Sequence, residues 1–239
     1  MHRLTRRFWS SDAGLTALLI LLFLDIFIFY PIVTGTFGKI LIQGCFFLII
    51  VSGVRAVVET PVWGRLVLAL GGTGLVCGVI TFAYPWRSLE VSSTIIEVAF
   101  IALLIVVILT HVFREGHIDA HRIAGAVAVY LLIGVLWGKL YSIVAMLSPK
   151  AFNFTQSYPS GGIDFIEGKL IYFSFMTLTS VGYGDIFPVH AAAKTAAMLE
   201  AVIGQLFPSI LLARLVSMEI EARQIKKRKS AKESAPGPS

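Results

Sequence analysis

Long apolar runs separated by short polar segments fill most of the chain. Six of them are long enough to cross a membrane as helices, because about 20 apolar residues span the hydrocarbon core of a bilayer. Backbone groups in lipid must be paired within the protein, which favours helices. The pattern therefore predicts an all-α membrane protein with six transmembrane helices, over residues 13–33, 37–58, 62–84, 91–113, 121–147 and 190–218.

A shorter apolar stretch, residues 168–179, lies between the last two runs. It is too short to cross a bilayer, and a glycine-containing loop follows it. We therefore predict a re-entrant helix, which enters the membrane and leaves on the same side. Its C-terminal end would carry the negative end of the helix dipole, which favours a cation.

The loop after this helix reads Thr179-Ser180-Val181-Gly182-Tyr183-Gly184-Asp185. Successive carbonyls can be aimed at one axis only if some residues adopt backbone angles that side chains oppose, and the two glycines allow this. Together with Tyr172 to Leu178 before it and Ile186-Phe187-Pro188 after it, the loop resembles the selectivity filter of potassium channels. The resemblance covers roughly residues 165–218.

This resemblance implies a tetrameric pore in which one chain supplies one filter strand. It implies that potassium is bound by the backbone carbonyls of Ser180, Val181, Gly182 and Tyr183, with Gly184 completing the filter. Three neighbours would support the filter or its outer mouth: Thr179, Asp185 and Tyr172. The family usually has threonine where this chain has Ser180, which keeps the ligand hydroxyl and loses a methyl. This difference bears on conductance rather than on selectivity.

The last apolar run contains small and polar residues that interrupt its hydrophobic pattern. In the potassium channel family, a glycine at the place of Gly204 lets the inner helix bend, and Pro208 independently favours a kink. Close helix packing is an alternative role for Gly204. Glu200 is a candidate brace behind the re-entrant helix.

The chain divides into a cytoplasmic N-terminal tail (1–12), a four-helix region (13–113), a pore domain (114–218) and a basic cytoplasmic tail (219–239) that begins as a helical extension. Within the pore domain we predict an outer helix (121–147), a pore helix (168–179), a filter (180–184) and an inner helix (190–218).

Composition and charge agree with a membrane protein. Hydrophobic residues make up 56% of the chain, charged residues 14%, and the mean hydropathy is +0.83. The net charge of +6 lies at span ends and in the tail, so we expect no nucleic-acid partner.

The predicted spans place 14 of the 20 Lys and Arg residues on the side of the two termini, which predicts cytoplasmic termini in the cell membrane. The basic tail is also a candidate contact for anionic lipid.

The sequence contains no nucleotide-binding loop, metal-ligand cluster or activated nucleophile, so we expect a non-enzyme without a cofactor. The leading interpretation is a potassium-selective channel with potassium as the permeant ion. The fourth run has no Arg or Lys, which argues against a conventional voltage sensor.

Two alternatives remain at this stage. One is a less selective monovalent cation channel, and the other is a membrane sensor or secondary transporter built on the first four spans. Asp25 and Glu97 lie within apolar runs and need partners there, for which Arg55 and Lys139 are candidates.

Overall fold

The computed structural model describes residues 15–29, 44, 48–49, 61–84, 86–113, 120–155 and 163–233. This part of the chain is mostly helical. We number its helices α1 (Leu15–Ile28), α2 (Pro61–Ala83), α3 (Arg87–Val112), α4 (Ala120–Leu147), α5 (Ile163–Leu178) and α6 (Ala191–Glu233). The end of α1 passes into a π-helical turn, Asp25–Phe29. Two short strands are β1 (Phe152–Phe154) and β2 (Ile186–Pro188).

Four helices of the described chain are long and apolar enough to cross a membrane: α2, α3, α4 and α6. They correspond to the third, fourth, fifth and sixth predicted spans. The first predicted span is represented by the shorter apolar helix α1. The second, 37–58, lies outside the described residues except for positions 44, 48 and 49, as does the N-terminal tail.

One predicted helix boundary is wrong. The helix before the filter begins at Ile163 rather than 168, because the acidic residues at its start suit the positive end of the helix dipole. The last helix continues beyond 218 to Glu233, in agreement with the helical extension predicted for the start of the tail. Its apolar run stops at Met218, but the Glu, Ala, Gln, Arg and Lys residues that follow are strong helix formers.

Contacts at the helix ends show which helices begin at the same end of the bundle. Thr16 Oγ1 lies 3.2 Å from His121 Nδ1, so α1 and α4 begin at the same end of the bundle. The Arg87 guanidinium donates to the Met146 carbonyl, so α3 begins where α4 ends. A cation suits that position, because the last carbonyls of a helix carry partial negative charge.

The all-α prediction needs one correction, because the two strands form a small antiparallel ribbon. Its register pairs Phe152 with Pro188, Asn153 with Phe187 and Phe154 with Ile186. The Ala151 carbonyl extends the pairing by accepting from the amides of Val189, at 2.7 Å, and His190, at 3.2 Å. The ribbon thereby fastens the segment after Gly184 to the segment that follows α4.

Apolar side chains form two clusters. The larger fills the space between α1, α3, α4 and α5. The smaller lies at the ribbon and centres on Tyr141, Phe152 and Phe173, whose rings meet edge to face with centroids 5.1–5.6 Å apart. Such edge-to-face pairs add to the stabilisation from burial. This cluster joins α4, β1 and α5 into one unit.

Candidate ion-conducting site

Helix α5 is held against α4 by two glycines spaced one helical turn apart. A Cβ added at Gly134 would lie 2.6 Å from Phe175 Cζ, and one added at Gly138 would lie 2.8 Å from Ile171 Cα. Real Cβ atoms do not approach other heavy atoms this closely. At Gly138 the clash is with backbone, so this position requires glycine, whereas at Gly134 the Phe175 ring would have to shift. The sequence analysis missed this pair, although the small-xxx-small spacing of 134 and 138 is a known signal for close helix packing.

The opposite side of α5 is held by α6, again at four-residue spacing. Ser174 contacts Glu200, and Leu178 contacts Gly204. A Cβ at Gly204 would lie 2.0 Å from the Leu178 carbonyl oxygen, which is the closest approach found at any described glycine. The C-terminal turn of α5 therefore rests directly on the backbone of α6.

This contact bears on the predicted bend at Gly204 and Pro208. Of the two roles proposed for Gly204, the structure shows close packing, because a side chain would collide with backbone. The helix continues through both residues. Pro208 lacks the N–H that would bond the Gly204 carbonyl, so a bend at this point stays a prediction.

Glu200 is fully buried and joins all three helices of the site. Tyr141 Oη on α4 donates to Glu200 Oε2 at 2.5 Å. Ser174 Oγ on α5 lies within hydrogen-bond distance of both Glu200 Oε1 and, at 2.7 Å, the Gly134 carbonyl oxygen. The structure thus shows the contact between Glu200 and α5 that the sequence suggested.

A proton count constrains this network. It has three contacts, but the hydroxyls of Ser174 and Tyr141 supply only two protons. In the structure Ser174 Oγ is placed as the donor to both Glu200 Oε1 and the Gly134 carbonyl, so one proton would be shared between two acceptors. We therefore expect Glu200 to carry its acidic proton and to donate to Ser174 Oγ, which would pair every polar group of this network.

Replacement of Glu200 tests this count. Glu200→Gln should retain nearly full thermal stability, because an amide donates to Ser174 and accepts from Tyr141 as the protonated acid does. Glu200→Leu should lose about 1–3 kcal/mol for each hydroxyl left without its partner. Thermal unfolding of the detergent-solubilised protein measures both. If Gln is as damaging as Leu, Glu200 functions as a carboxylate and the count is wrong.

The backbone of the predicted filter alternates in conformation. Positive φ angles occur at every second residue: Ser180 (58°), Gly182 (54°) and Gly184 (77°). Val181 and Tyr183 between them are not in this region. When residues of positive φ alternate in this way with residues outside that region, successive carbonyls can point to the same side of the strand. The segment can therefore present a row of carbonyl oxygens to one axis.

Hydrogen bonds to the end of α5 hold the inner half of this segment. The Met176 carbonyl accepts from the amides of Val181, at 2.9 Å, and Gly182, at 3.1 Å, and the Thr177 carbonyl accepts from the Ser180 amide at 3.0 Å. These are carbonyls that a helix end leaves without intrahelical partners. These bonds use the N–H groups of the segment, so they leave its own carbonyl oxygens available to a ligand.

The outer end of the segment is fixed at Asp185. Its carbonyl oxygen accepts from the Thr155 amide at 2.9 Å and from Thr155 Oγ1 at 3.0 Å. The β1–β2 ribbon begins at the next residue. The five residues of the predicted filter are thus anchored to α5 on one side and to the ribbon on the other.

The predicted supporting residues differ in what they contact within one chain. Thr179 Oγ1 donates to the Phe175 carbonyl at 2.6 Å and so caps the end of α5. Tyr172 is 36% exposed. Within the filter segment itself, Val181 and Tyr183 are 49% and 71% exposed, so a single chain does not bury these two side chains.

Gln205 was not singled out as a filter contact in the sequence analysis. Its Nε2 donates to Ser180 Oγ at 2.8 Å. Because 25 residues separate the two, no local pattern could have paired them. The residue follows Gly204, so the close approach of α6 to Leu178 brings it within reach of the filter.

An ionic cluster lies on the other side of α4. Lys139 Nζ lies 2.6 Å from Glu97 Oε2 on α3 and 2.5 Å from Glu167 Oε1 on α5. Lys139 is therefore a partner of Glu97, and the other candidate, Arg55, lies outside the described residues. Asp25 is also buried, and its Oδ1 has no hydrogen-bond partner. The two ion pairs connect α3 and α4 to α5.

Comparison with known proteins agrees with this geometry. Residues 126–221 match the family described as "Ion channel". Protein LctB of Geobacillus stearothermophilus is 33% identical over 87 residues, which are 36% of this chain and 62% of that protein. Protein LctB of Bacillus caldotenax is 41% identical over 88 residues, which are 36% of this chain and 64% of that protein.

The chain thus spans less than two thirds of the curated relatives it matches. No solved structure matches it. The family match begins within α4 and includes α5, the filter segment and α6 as far as residue 221. These are the elements that the site described above brings together. Over residues 126–221, this chain is therefore similar to the ion channel family.

Proposed function

We propose that this protein is a potassium-selective channel that conducts the ion passively. The observation that carries the proposal is the alternation of positive φ at Ser180, Gly182 and Gly184. In a filter of this kind, rings of carbonyl oxygens replace the hydration shell of potassium. The residues that would supply them are those predicted from the sequence: Ser180, Val181, Gly182 and Tyr183.

The channel we propose is a homotetramer. One chain carries one filter segment, and a closed ring of carbonyls requires several. The exposure of Val181 and Tyr183 in a single chain supports this assembly, because neighbouring copies would cover these side chains. Two partners stay proposals: membrane lipid around the bundle and anionic lipid at the basic tail.

The proposed location is the cell membrane, with both termini in the cytoplasm. Contacts between helix ends support this orientation. Thr16 and His121 meet at one end of the bundle, and Arg87 and Met146 meet at the other end. The excess of Lys and Arg on the side of the termini favours that side as cytoplasmic.

Flux through purified protein in liposomes tests the function. Potassium and rubidium should pass much faster than sodium, because the carbonyl rings favour the larger ions. Equal potassium and sodium flux would instead support a less selective cation channel. The mass of the detergent-solubilised particle tests the assembly, and a stable conducting dimer would contradict the tetramer.

We also expect little voltage dependence. Steep gating requires several charges to cross the field, at about 2.3 kcal/mol per charge per 100 mV. Within its apolar part, α3 carries Glu97 as its one ionised residue, and Lys139 holds it in place. Current recorded during voltage steps on reconstituted protein should therefore change gradually. A steep sigmoidal activation curve would require a sensor that this helix does not provide.

A further inference from the structure

The innermost residue of the filter has a side chain whose rotation is not restricted by branching. Threonine, the usual residue there, has a methyl group on Cβ that limits χ1, whereas serine can occupy three rotamers. A side chain that changes rotamer must be held in one rotamer each time its oxygen binds an ion. The entropy lost in this ordering opposes binding. Ser180 also has a positive φ of 58°, which is uncommon for a residue other than glycine.

Within the chain, Gln205 makes the contact that would remove this freedom. Its Nε2 donates to Ser180 Oγ at 2.8 Å, a normal length for such a bond. The hydroxyl oxygen has two lone pairs, so one remains for a cation. The amide is neutral and adds no charge to a site that selects cations.

The position of Gln205 depends on the packing of the helix that carries it. Gly204 lets the backbone of α6 approach the Leu178 carbonyl more closely than any side chain would allow. Tyr130 Oη donates to the same carbonyl at 3.4 Å from α4. The end of α5 and the Gln205 backbone are thus held in a fixed relation, two residues before the filter begins.

We propose that Gln205 is a positioning residue of the innermost cation site and that it replaces, by a hydrogen bond, the constraint that threonine provides by branching. The inference rests on the proposed potassium channel function. It assigns to α6 a direct part in selectivity, in addition to its role in packing.

A double-mutant cycle tests the inference, with the ratio of potassium to sodium flux in liposomes as the measured quantity. Gln205→Leu should lower the ratio roughly two- to tenfold, the range that corresponds to one hydrogen bond. In a Ser180→Ala background the same change should have no further effect, because the acceptor is already absent. In a Ser180→Thr background the wild-type ratio should largely return.

Two further variants control for indirect effects. Ser209→Ala removes a hydroxyl one turn further along α6 that bonds the Gln205 carbonyl instead of the filter, so it should leave the ratio unchanged. Gln205→Met repeats the loss of the amide with a different apolar side chain. Since Gln205 is exposed in the single chain, both apolar substitutions leave the core intact. Particle mass measured beforehand identifies any variant that fails to assemble.

Three results would overturn the inference. One is a ratio that stays at the wild-type value in both Gln205→Leu and Gln205→Met. Another is a loss that is equally large in the wild-type and Ser180→Ala backgrounds, since Gln205 would then act without the hydroxyl. A loss that Ser180→Thr does not restore is the third. A wild-type protein that fails to distinguish potassium from sodium would instead overturn the proposed function.

Discussion

Gly204→Ala is expected to abolish ion flux and to lower the stability of the folded protein. The new Cβ would lie 2.0 Å from the Leu178 carbonyl oxygen, so α6 would have to move by more than about 1 Å to reach an ordinary contact distance. Overpacking usually costs about 1–3 kcal/mol, and a clash with backbone lies at the upper end because a backbone cannot rotate away. The displacement would also separate Gln205 from Ser180.

The two roles considered for Gly204 give different results in this experiment. If Gly204 acts as a hinge, its replacement should change the open probability and leave the unfolding temperature at the wild-type value. If Gly204 acts through close packing, its replacement should lower both the ion flux and the unfolding temperature. Gly72→Ala on α2 is the matched control, since no atom lies within 4 Å of its added Cβ. It should leave flux and stability near wild type. Normal stability in Gly204→Ala would contradict the packing role.

Gly182→Ala should also abolish selective flux, but for a conformational reason. No atom of the same chain lies within 4 Å of the added Cβ, so no clash within the chain opposes the substitution. The φ of Gly182 is +54°, where a side chain costs about 1–2 kcal/mol. A tetramer contains the substitution four times, and a residue that leaves this conformation turns its carbonyl away from the axis.

The measurements for Gly182→Ala are potassium flux and thermal unfolding of the same preparation. We expect flux to fall at least tenfold while the helices unfold close to the wild-type temperature, because the change lies outside the helix contacts. Gly204→Ala should lower both quantities, so the pair separates filter conformation from helix packing. Wild-type flux in Gly182→Ala would show that positive φ at this position is not needed for conduction.

Features encoded in local sequence were predicted well. The apolar runs identify α2, α3, α4 and the membrane part of α6, because hydropathy is a direct consequence of the lipid environment. The glycines of the filter were predicted to need positive φ, and Gly182 and Gly184 have it. In each case a single residue, or a short run, determines the feature by itself.

Features that depend on distant residues were missed or left open. The start of α5 was misplaced because the charged residue Glu167 precedes the apolar stretch, and its partner Lys139 is known only once the helices are packed. For the same reason, the sequence offered two partners for Glu97 and could not choose between them. The bond from Gln205 to Ser180 and the positive φ of Ser180 itself are likewise products of tertiary structure.

The ionic cluster at Lys139 has a consequence for modularity. If α1 to α3 were removed, Lys139 would lose Glu97 but keep Glu167, so its charge would retain a partner inside the pore domain. The face of α4 that α3 covers is apolar, and lipid solvates such a face about as well as another helix does. The unit formed by α4, α5 and α6 therefore keeps Lys139 paired without the N-terminal helices. It could be transplanted onto a different set of N-terminal helices, provided that these helices do not bring an unpaired charge to Lys139.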